Sequence, residues 1–353
     1  MAKIDIHIGL EKTGSTSIQT FLVRNRGALA RQGICFPRSP GNGNQTRLAA
    51  YALSGTSKAA RGADGPVPAH QHSADAQFRE ELIAEIRASH CDRVLLSNEH
   101  CSSKLVEDEP IERLKGLLDC IGETQRVFLY LRRQDDFLLS SYSTAVKTGR
   151  QATFALPNSR VLEKRYNFLR LIERWARIFG EGTVQPRVFE KEQFAEGDLL
   201  IDFCRALNID TARLTLSQAP RNTSLSANAL EFLRILNVQL GAGPRDPKTR
   251  NAVVKMLTAI DSGQRLSMAA DARRAFMARF EAGNAIIAQR YLGRGDGKLF
   301  SAIKDDAPDV PMPVLAPEAF SKIAAQMIFA LAARKRAPPI VREPGQRRDR
   351  RPL

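Results

Sequence analysis

The chain opens with a strand, a glycine-rich turn and a helix in immediate succession. Residues 3–9 alternate in polarity as a strand does, and residues 15–32 place apolar side chains at helical spacing. The apolar stripe of this helix consists of Ile18, Phe21, Leu22 and Leu29. A strand that feeds directly into a helix is the opening of a β-loop-α unit, which restricts the chain to folds built from such units.

The same alternation continues through the first two thirds of the chain. The pattern predicts helices at about 75–89, 110–121, 135–148 and 166–180, and strands at 93–97, 126–131 and 184–190, the last weakened by Pro186. From about residue 198 helices dominate, including 226–240 and 266–290. Strands separated by helices imply right-handed crossovers and a parallel sheet. We therefore expect a three-layer α/β fold, a parallel sheet flanked by helices, with a helical C-terminal part.

Charge separates the end of the chain from the rest. The chain carries 53 Lys and Arg against 38 Asp and Glu, a net charge of +15. Residues 334–353 hold eight basic and two acidic residues and four prolines, which predicts a basic disordered tail. The excess in the folded part indicates anionic ligands. We divide the chain into a core at 1–240, a helical extension of the same domain at 241–333, and the tail.

Cysteine usage and hydropathy bear on the compartment. Five cysteines stand without CxxC spacing, at positions 35, 91, 101, 120 and 204. An odd number in this arrangement indicates neither a disulfide framework nor a zinc site. The N-terminus does not resemble a signal peptide, and no apolar run reaches the ~20 residues of a membrane helix. The stretch 324–333 is shorter and predicts a buried helix. We expect a cytoplasmic protein without a transmembrane segment.

The first turn has the chemistry of a phosphate site. Gly9 and Gly14 have the spacing of the outer glycines of a P-loop, whose backbone N–H groups and helix N-terminus attract anions. A nucleotide triphosphatase needs a Lys and a Ser or Thr after the second glycine to hold magnesium, whereas here Lys12 lies inside the loop. No aspartate stands at the ends of the strands at 93–97 and 126–131, where a Walker-B residue would lie. The fold is therefore P-loop-like, without the parts for metal-assisted phosphoryl transfer.

The sequence from Lys12 to Thr16, Lys-Thr-Gly-Ser-Thr, resembles the 5′-phosphosulfate loop of the sulfotransferases that use 3′-phosphoadenosine 5′-phosphosulfate (PAPS). This resemblance assigns donor binding to Lys12, Thr13, Gly14, Ser15, Thr16 and Ser17. It spans roughly residues 5–240 and is closest to the bacterial-type carbohydrate sulfotransferases, with Asn222-Thr223-Ser224-Leu225 similar to a segment of that branch.

A second motif lies at the end of the strand at 126–131. Arg133 follows the strand and Ser141 stands eight residues later, the form of the family's 3′-phosphate motif, so the resemblance gives both residues that role. Arg132 is adjacent, and the sequence leaves open which arginine faces the phosphate. Arg221 resembles a later arginine that contacts the same phosphate, although an ordinary helix cap is an equal alternative.

Two neighbouring residues are candidates for the base. Sulfuryl transfer to a hydroxyl requires a group that removes its proton, and Glu99 and His100 follow the strand at 93–97. The resemblance to the glycan-modifying branch favours Glu99, with His100 as the alternative. The same resemblance implies that Lys12 offsets charge on the departing phosphate and that no metal takes part. Trp175 lies on an amphipathic helix and is expected in the core.

These observations predict a PAPS-dependent sulfotransferase. Its partners would be PAPS or its product PAP and a hydroxylated acceptor, a glycan, glycolipid or small molecule. A P-loop kinase and a basic nucleic-acid-binding module are the alternatives, but no aromatic-basic motif accompanies the charge, so no nucleic acid is expected. The polar loops at 37–45 and 58–72 are expected to be mobile and close to the site. The sequence leaves the acceptor and the oligomeric state open.

Overall fold

The computed structural model describes residues 1–54, 69–216, 224–241, 246–261, 263–306 and 308–336. The predicted fold class is confirmed, because five parallel strands form one sheet with helices around it. The strands are β1 (Ala2–Gly9), β2 (Ile34–Cys35), β3 (Arg93–Ser97), β4 (Gly122–Leu131) and β5 (Val184–Val188).

Fifteen α-helices are seen in the described ranges. They are α1 (Ser15–Arg24), α2 (Arg26–Ala30), α3 (Arg47–Leu53), α4 (Ala69–Ala88), α5 (His100–Lys104), α6 (Asp108–Asp119), α7 (Gln134–Lys147), α8 (Ser159–Tyr166), α9 (Phe168–Phe179), α10 (Leu199–Ala206), α11 (Ala227–Gln239), α12 (Pro247–Ile260), α13 (Ala270–Met277), α14 (Glu281–Leu292) and α15 (Pro317–Arg336).

The sheet has the order β2-β3-β1-β4-β5, which places β1 at its centre. The register sets His7 of β1 beside Ser97 of β3 on one side and Phe128 of β4 on the other. Pro186 is accommodated because β5 forms an edge of the sheet, where a residue without an N–H group removes no ladder bond on the outer side.

Helices cover both faces of the sheet. On one face, Phe128 and Tyr130 of β4 pack in a cluster with residues of α1 and α10. The alternate residues of β4, Val127 and Leu129, point to the other face, where α6 and α9 contact the strand. Both residues are fully buried, so the second face is covered as completely as the first. Trp175 on α9 is also fully buried, as predicted.

The helix predicted at 15–32 is interrupted at Asn25, which separates α1 from α2. The Asn25 side chain donates to the carbonyl of Phe21 at 2.9 Å and accepts from the N–H of Thr215 at 2.8 Å. The apolar stripe is nevertheless buried as predicted, since its four residues are 0–1% exposed. A polar residue with a partner at this position ends the helix early without disturbing the face that it buries.

The contacts divide the chain into two compact units. The first comprises residues 1–141, 155–222 and 268–309 and contains the sheet. The second comprises residues 142–154, 223–267 and 310–353. Its core contains Tyr142, Val146, Leu225, Leu230, Phe232, Leu233 and Leu257. The predicted boundaries at 240 and 333 remain a prediction, and α15 runs to Arg336, three residues into the predicted tail, whose remaining residues lie outside the described ranges.

Candidate active site

The topology marks one edge of the sheet for ligand binding. From β1 the chain passes to β2 on one side, and from β4 it passes to β5 on the other, so these neighbouring strands connect in opposite directions. In open α/β sheets, ligands bind at the carboxyl ends of strands at such a switch point. Lys12 follows β1, Arg132 follows β4, and Glu99 follows β3 on the far side of β1. The three central strands therefore bring these three candidate site residues to one edge of the sheet.

The turn between β1 and α1 is held by a side-chain hydrogen bond within it and by a backbone hydrogen bond to β4. The Thr13 hydroxyl donates to the Leu10 carbonyl at 2.6 Å, and the Leu10 N–H donates to the Tyr130 carbonyl of β4 at 3.1 Å. Lys12 has a φ of 65° and Gly14 one of 77°, both in the left-handed region. Left-handed residues within such a turn direct successive N–H groups inward, which is the arrangement that binds anions.

The two glycines that bound this turn permit close approaches. A Cβ atom on Gly9 would lie 2.8 Å from the Ser102 hydroxyl and 3.3 Å from the Glu99 Cα atom. A Cβ atom on Gly14 would collide with the Leu199 side chain of α10. Both glycines also have positive φ angles, which side chains rarely adopt. Glycine at these positions thus lets the turn lie against the end of β3 and the start of α10.

The start of α1 supplies further donors. The N–H groups of Ser17 and Ile18 bond to the Gly14 carbonyl at 2.8 and 3.1 Å. Those of Ser15 and Thr16 have no carbonyl one turn earlier in the helix to accept them. Ser15 is buried, Ser17 is half-buried and Thr16 is exposed. Together with the positive end of the helix dipole, these groups favour an anion beside the turn.

Lys12 is half-buried at this edge. Burial lowers the pKa of its ammonium below the ordinary value, the Glu11 and Glu99 carboxylates oppose this shift, and Arg132 adds to it. Lys12 therefore lies within electrostatic reach of one of the candidate bases and of an arginine. A cation in partly dehydrated surroundings interacts more strongly with an incoming anion than one in open water.

Arg132 is the arginine that lies on the turn. Its Nη1 donates to the Lys12 carbonyl at 3.0 Å, and its guanidinium lies 5.9 Å from the centre of the Phe189 ring. The sequence leaves the choice between Arg132 and Arg133 open, and the structure places Arg132 against the loop that carries Lys12.

Arg133 instead belongs to a buried ion-pair network. Its Nε donates to Asp135 at 2.9 Å, and its Nη2 lies 3.4 Å from Asp136. Arg273 of α13 binds the same two carboxylates, at 2.5 and 2.8 Å. Arg133 also donates to the Ser301 carbonyl at 3.3 Å. Two arginines thus share two aspartates at the start of α7.

This network shifts the titration of its members. Burial opposes the charge of Arg133, but the hydrogen bond and the charge of Asp135 raise the pKa of its guanidinium above the ordinary value. Burial and the neighbouring Asp135 carboxylate raise the pKa of Asp136, against the lowering by Arg133, Arg273 and Arg132. Arg133 is held in place by charge, and binding a phosphate would require it to share or leave these partners.

Ser141 and Arg221 are the other two residues that the sequence predicts to contact the 3′-phosphate. The Ser141 hydroxyl oxygen is buried and has no hydrogen-bond partner within the described ranges. It lies seven residues into α7, about 10 Å along the helix from its first residue. A buried hydroxyl without a partner is unusual and is compatible with a ligand acceptor or donor. Arg221 lies outside the described residues.

Glu99 is held by two neutral amide groups. Gln19 of α1 donates to its Oε2 at 2.5 Å, and Asn44 donates to its Oε1 at 3.1 Å. The carboxylate is half-buried and contributes to the electrostatic surroundings of Lys12. A carboxylate fixed by amides keeps lone pairs available for a proton. This arrangement suits a general base.

His100 faces a different neighbour. Its Nδ1 lies 3.4 Å from Glu11 Oε1, within ion-pair distance but without hydrogen-bond geometry. Glu11 in turn accepts from the Ser103 hydroxyl at 2.8 Å and lies 3.5 Å from Arg165. Both candidate bases thus stand beside the turn, Glu99 among amides and His100 beside a second carboxylate.

A buried polar chain connects Glu99 with the centre of the sheet. The His7 Nδ1 lies 2.9 Å from the Ser97 hydroxyl, and Gln19 reaches both this hydroxyl, at 3.5 Å, and Glu99. Burial lowers the pKa of His7 to about 4, so the imidazole is neutral at pH 7. Its Nε2 is buried without a partner in the described part of the chain.

Three residues of the site were not predicted from the sequence, namely Glu11, Gln19 and Asn44. Gln19 carried a signal, because it is a polar residue on the apolar side of α1, between Ile18 and Leu22. Asn44 lies in the loop 37–45, which does reach the site as expected. Gln45 of this loop bonds to the Pro37 carbonyl and to the backbone of Ser97, and the mobility of the loop stays a prediction. Most of the second loop, 58–72, lies outside the described residues.

Across the described ranges, no three His, Cys, Asp or Glu side chains are grouped to hold a metal ion. Over the same residues, no helix combines the length and the apolar character needed to cross a membrane.

Comparison with known proteins gives two matches of limited extent. No family model matches the chain. An uncharacterised protein from Archaeoglobus fulgidus is 27% identical over 172 residues, 48% of this chain and 46% of the relative, so the chain spans about half the length of that relative. The crystal structure of a sulfotransferase from Alicyclobacillus acidocaldarius covers 71% of this chain and 100% of its own, with 15% identity and a TM-score of 0.37. A likeness at that TM-score carries no argument, and the function rests on the contacts of the site.

Proposed function

We propose that the protein is a PAPS-dependent sulfotransferase that moves a sulfuryl group to a hydroxyl group of an acceptor. One observation carries the proposal. At the carboxyl edge of the sheet, Arg132 donates to the carbonyl of Lys12, and the charge of the Glu99 carboxylate raises the pKa of the Lys12 ammonium. An anion-binding turn, two cations and a carboxylate base are the groups that such a transfer needs.

The residues at this edge fit the two anionic ends of the donor. The turn from Lys12 to Ser17 offers backbone donors and a helix N-terminus for the 5′-phosphosulfate. For the 3′-phosphate we propose Arg132 and the Ser141 hydroxyl, which lacks a partner among the described residues. Arg221 keeps the role that the resemblance gives it. In this proposal Arg133 acts as a positioning residue, because it fixes the start of α7 through Asp135 and Asp136.

The donor supplies a sulfuryl group on a phosphate that leaves readily. During transfer an acceptor oxygen bonds to sulfur while the bond from sulfur to the phosphate oxygen breaks. Glu99 receives the acceptor proton at a carboxylate oxygen, and Gln19 and Asn44 keep that carboxylate oriented. Lys12 and the N–H groups of the turn offset the charge that develops on the leaving phosphate.

The acceptor belongs to the proposal only as a class. A carbohydrate or glycolipid hydroxyl is preferred because the resemblance is to the carbohydrate branch of the family. Incubation of the protein with labelled PAPS and a glycan extract would identify it. A cytoplasmic location likewise stays a prediction.

Titration calorimetry with PAP and with ATP, each with and without EDTA, tests the proposal. We expect PAP binding that EDTA does not change, and a loss of at least tenfold in affinity for Lys12→Ala. Lys115→Ala is the matched control, since Lys115 pairs with Asp119 on the exposed side of α6. If the protein instead bound ATP selectively and only with magnesium, the proposal of a sulfotransferase would be wrong and a kinase would be the better interpretation.

A further inference from the structure

Helix α15 exposes apolar side chains that the sequence predicts to be buried. The stretch 324–333 lies in this helix, yet Ile328 is 64% exposed, Phe329 75% and Leu331 48%. Ala325 and Ala332 are exposed as well. Positions 325, 328, 329 and 332 follow the spacing of one helix face. The prediction of a buried helix is therefore wrong for this face.

The opposite face of α15 accounts for its packing within the second unit. Phe320, Ile323, Ala324 and Met327 lie against the core of that unit, and the Phe320 ring is 4.7 Å from that of Phe232 on α11. A helix that is apolar on both faces is covered on both faces in its working state. The described residues cover only one.

The charge of this unit indicates what covers the other face. The three segments of the second unit contain 17 basic and 6 acidic residues, a net +11 of the +15 of the whole chain. Without residues 334–353, the unit still has 9 basic and 4 acidic residues. Lys322 and Glu318 lie on the exposed face of α15, and α12, which contacts α15, exposes Lys248 and Lys255. The apolar face therefore lies within a strongly basic unit.

We propose that this face of α15 docks on an anionic lipid bilayer, with Ile328 and Phe329 inserted at the boundary between headgroups and acyl chains. Apolar side chains flanked by Lys and Arg are the requirements of a helix that lies in the membrane interface. A second copy of the chain would bring +11 against +11, which opposes association. A nucleic acid would match the charge but gives no reason for an exposed phenylalanine and isoleucine.

Vesicle co-sedimentation of the full chain tests the proposal. The vesicles are phosphatidylcholine alone, or phosphatidylcholine with one quarter phosphatidylglycerol, at ~0.1 M salt. We expect binding to the anionic vesicles, weakened about tenfold or more in the double variant Ile328→Glu, Phe329→Glu. Ile286→Glu is the matched control, because Ile286 is an exposed isoleucine on α14 in the first unit, and it should bind as the unchanged protein does.

A milder double variant, Ile328→Ser with Phe329→Ser, guards against misfolding, and its thermal unfolding should match that of the unchanged protein. Several outcomes would overturn the proposal. One is the absence of binding to the anionic vesicles, and another is equal binding by the folded serine variant. A third is a dimer in light scattering that the serine variant converts to a monomer, which would make the face a contact between copies. A fourth is duplex DNA binding that the serine variant loses while vesicles remain unbound.

Discussion

Glu99 and Asp135 carry carboxylates at the same edge of the sheet. Glu99 follows β3 and Asp135 follows β4, the two strands that pair with β1, and the two carboxylates have different kinds of partner. Glu99 lies beyond β3 and accepts from two neutral amides, those of Gln19 and Asn44. Asp135 lies beyond β4, is fully buried, and is held by the guanidinium groups of Arg133 and Arg273.

From this difference we propose a catalytic role for Glu99 and a structural role for Asp135. Both oxygens of Asp135 accept from guanidinium groups, and these bonds fix the start of α7. Glu99 is oriented by neutral amides and raises the pKa of the Lys12 ammonium, so it is the carboxylate that we propose as the base. Both residues carry a carboxylate and follow a strand at the same edge of the sheet, so we assign their roles from their partners.

The largest effect is expected for Glu99→Gln. This variant keeps the shape of the side chain but cannot take the acceptor proton, so the transfer rate should fall roughly a hundred- to ten-thousandfold. PAP affinity should stay unchanged, because we propose that the donor binds to the turn and to Arg132. Formation of PAP from PAPS and PAP titration measure the two quantities.

His100→Gln serves as the comparison for this variant, since His100 lies beside Glu11 rather than among the amides. We expect it to retain most of the activity. An active Glu99→Gln protein together with an inactive His100→Gln protein would transfer the role of base to His100.

We expect the two adjacent arginines to have different roles, with Arg132 supporting PAP binding and Arg133 supporting the stability of the fold. Arg133→Ala leaves Asp135 and Asp136 paired with Arg273, so neither carboxylate loses its last partner. We expect a loss of roughly 1.5–3 kcal/mol of unfolding free energy, the range for hydrogen bonds to charged groups. Arg132→Ala should instead lower PAP affinity about tenfold or more, with a much smaller loss of stability. Denaturant unfolding and PAP titration of both variants test this. Full stability of Arg133→Ala would contradict the structural role.

Much of this edge of the sheet follows from the sequence. The turn after β1 and the polar residues after β3 and β4 are visible there, because apolar strands end in charged or polar residues at fixed places. The partners of those residues are not visible. Arg273 stands 138 residues from Asp135, and Asn44 stands 55 residues from Glu99, and a single sequence contains no pattern that joins such pairs.

The fold also contains elements that depend on partners distant in the sequence and cannot be predicted from local pattern. Strands β1, β3, β4 and β5 are predictable since each has at least five residues of strand pattern, whereas β2 has two residues, Ile34 and Cys35, and is formed by pairing with β3. The exposed face of α15 was missed because apolar composition predicts burial, and composition does not show where a core ends.

The buried chain behind Glu99 predicts a pH dependence of stability. The pKa of His7 is lowered from 6.5 to about 4 by burial, so the unfolded chain binds this proton more readily than the folded protein. The stabilisation is complete above pH 6.5 and is lost as the pH falls toward 4, a change of about 3 kcal/mol in unfolding free energy. Urea unfolding between pH 4 and 7 measures it. His7→Asn should flatten this slope, and the exposed His90, changed to Asn, should leave it as it is.

The smallest effect expected concerns Gln19, which acts through Glu99. Gln19→Met keeps the volume of the side chain but removes the donor to the carboxylate, so the transfer rate should fall about tenfold, the worth of one hydrogen bond to a charged group. PAP affinity should be kept, because the Gln19 amide bonds to Glu99 and Ser97 rather than to the turn. Gln77→Met is the matched control, since Gln77 makes the same amide-to-carboxylate bond, to Glu81, on the exposed side of α4. A loss of PAP affinity as large as the loss of rate would mean that Gln19 supports only the packing of α1, and the contrast between carboxylates held by amides and by arginines would then rest on Asn44.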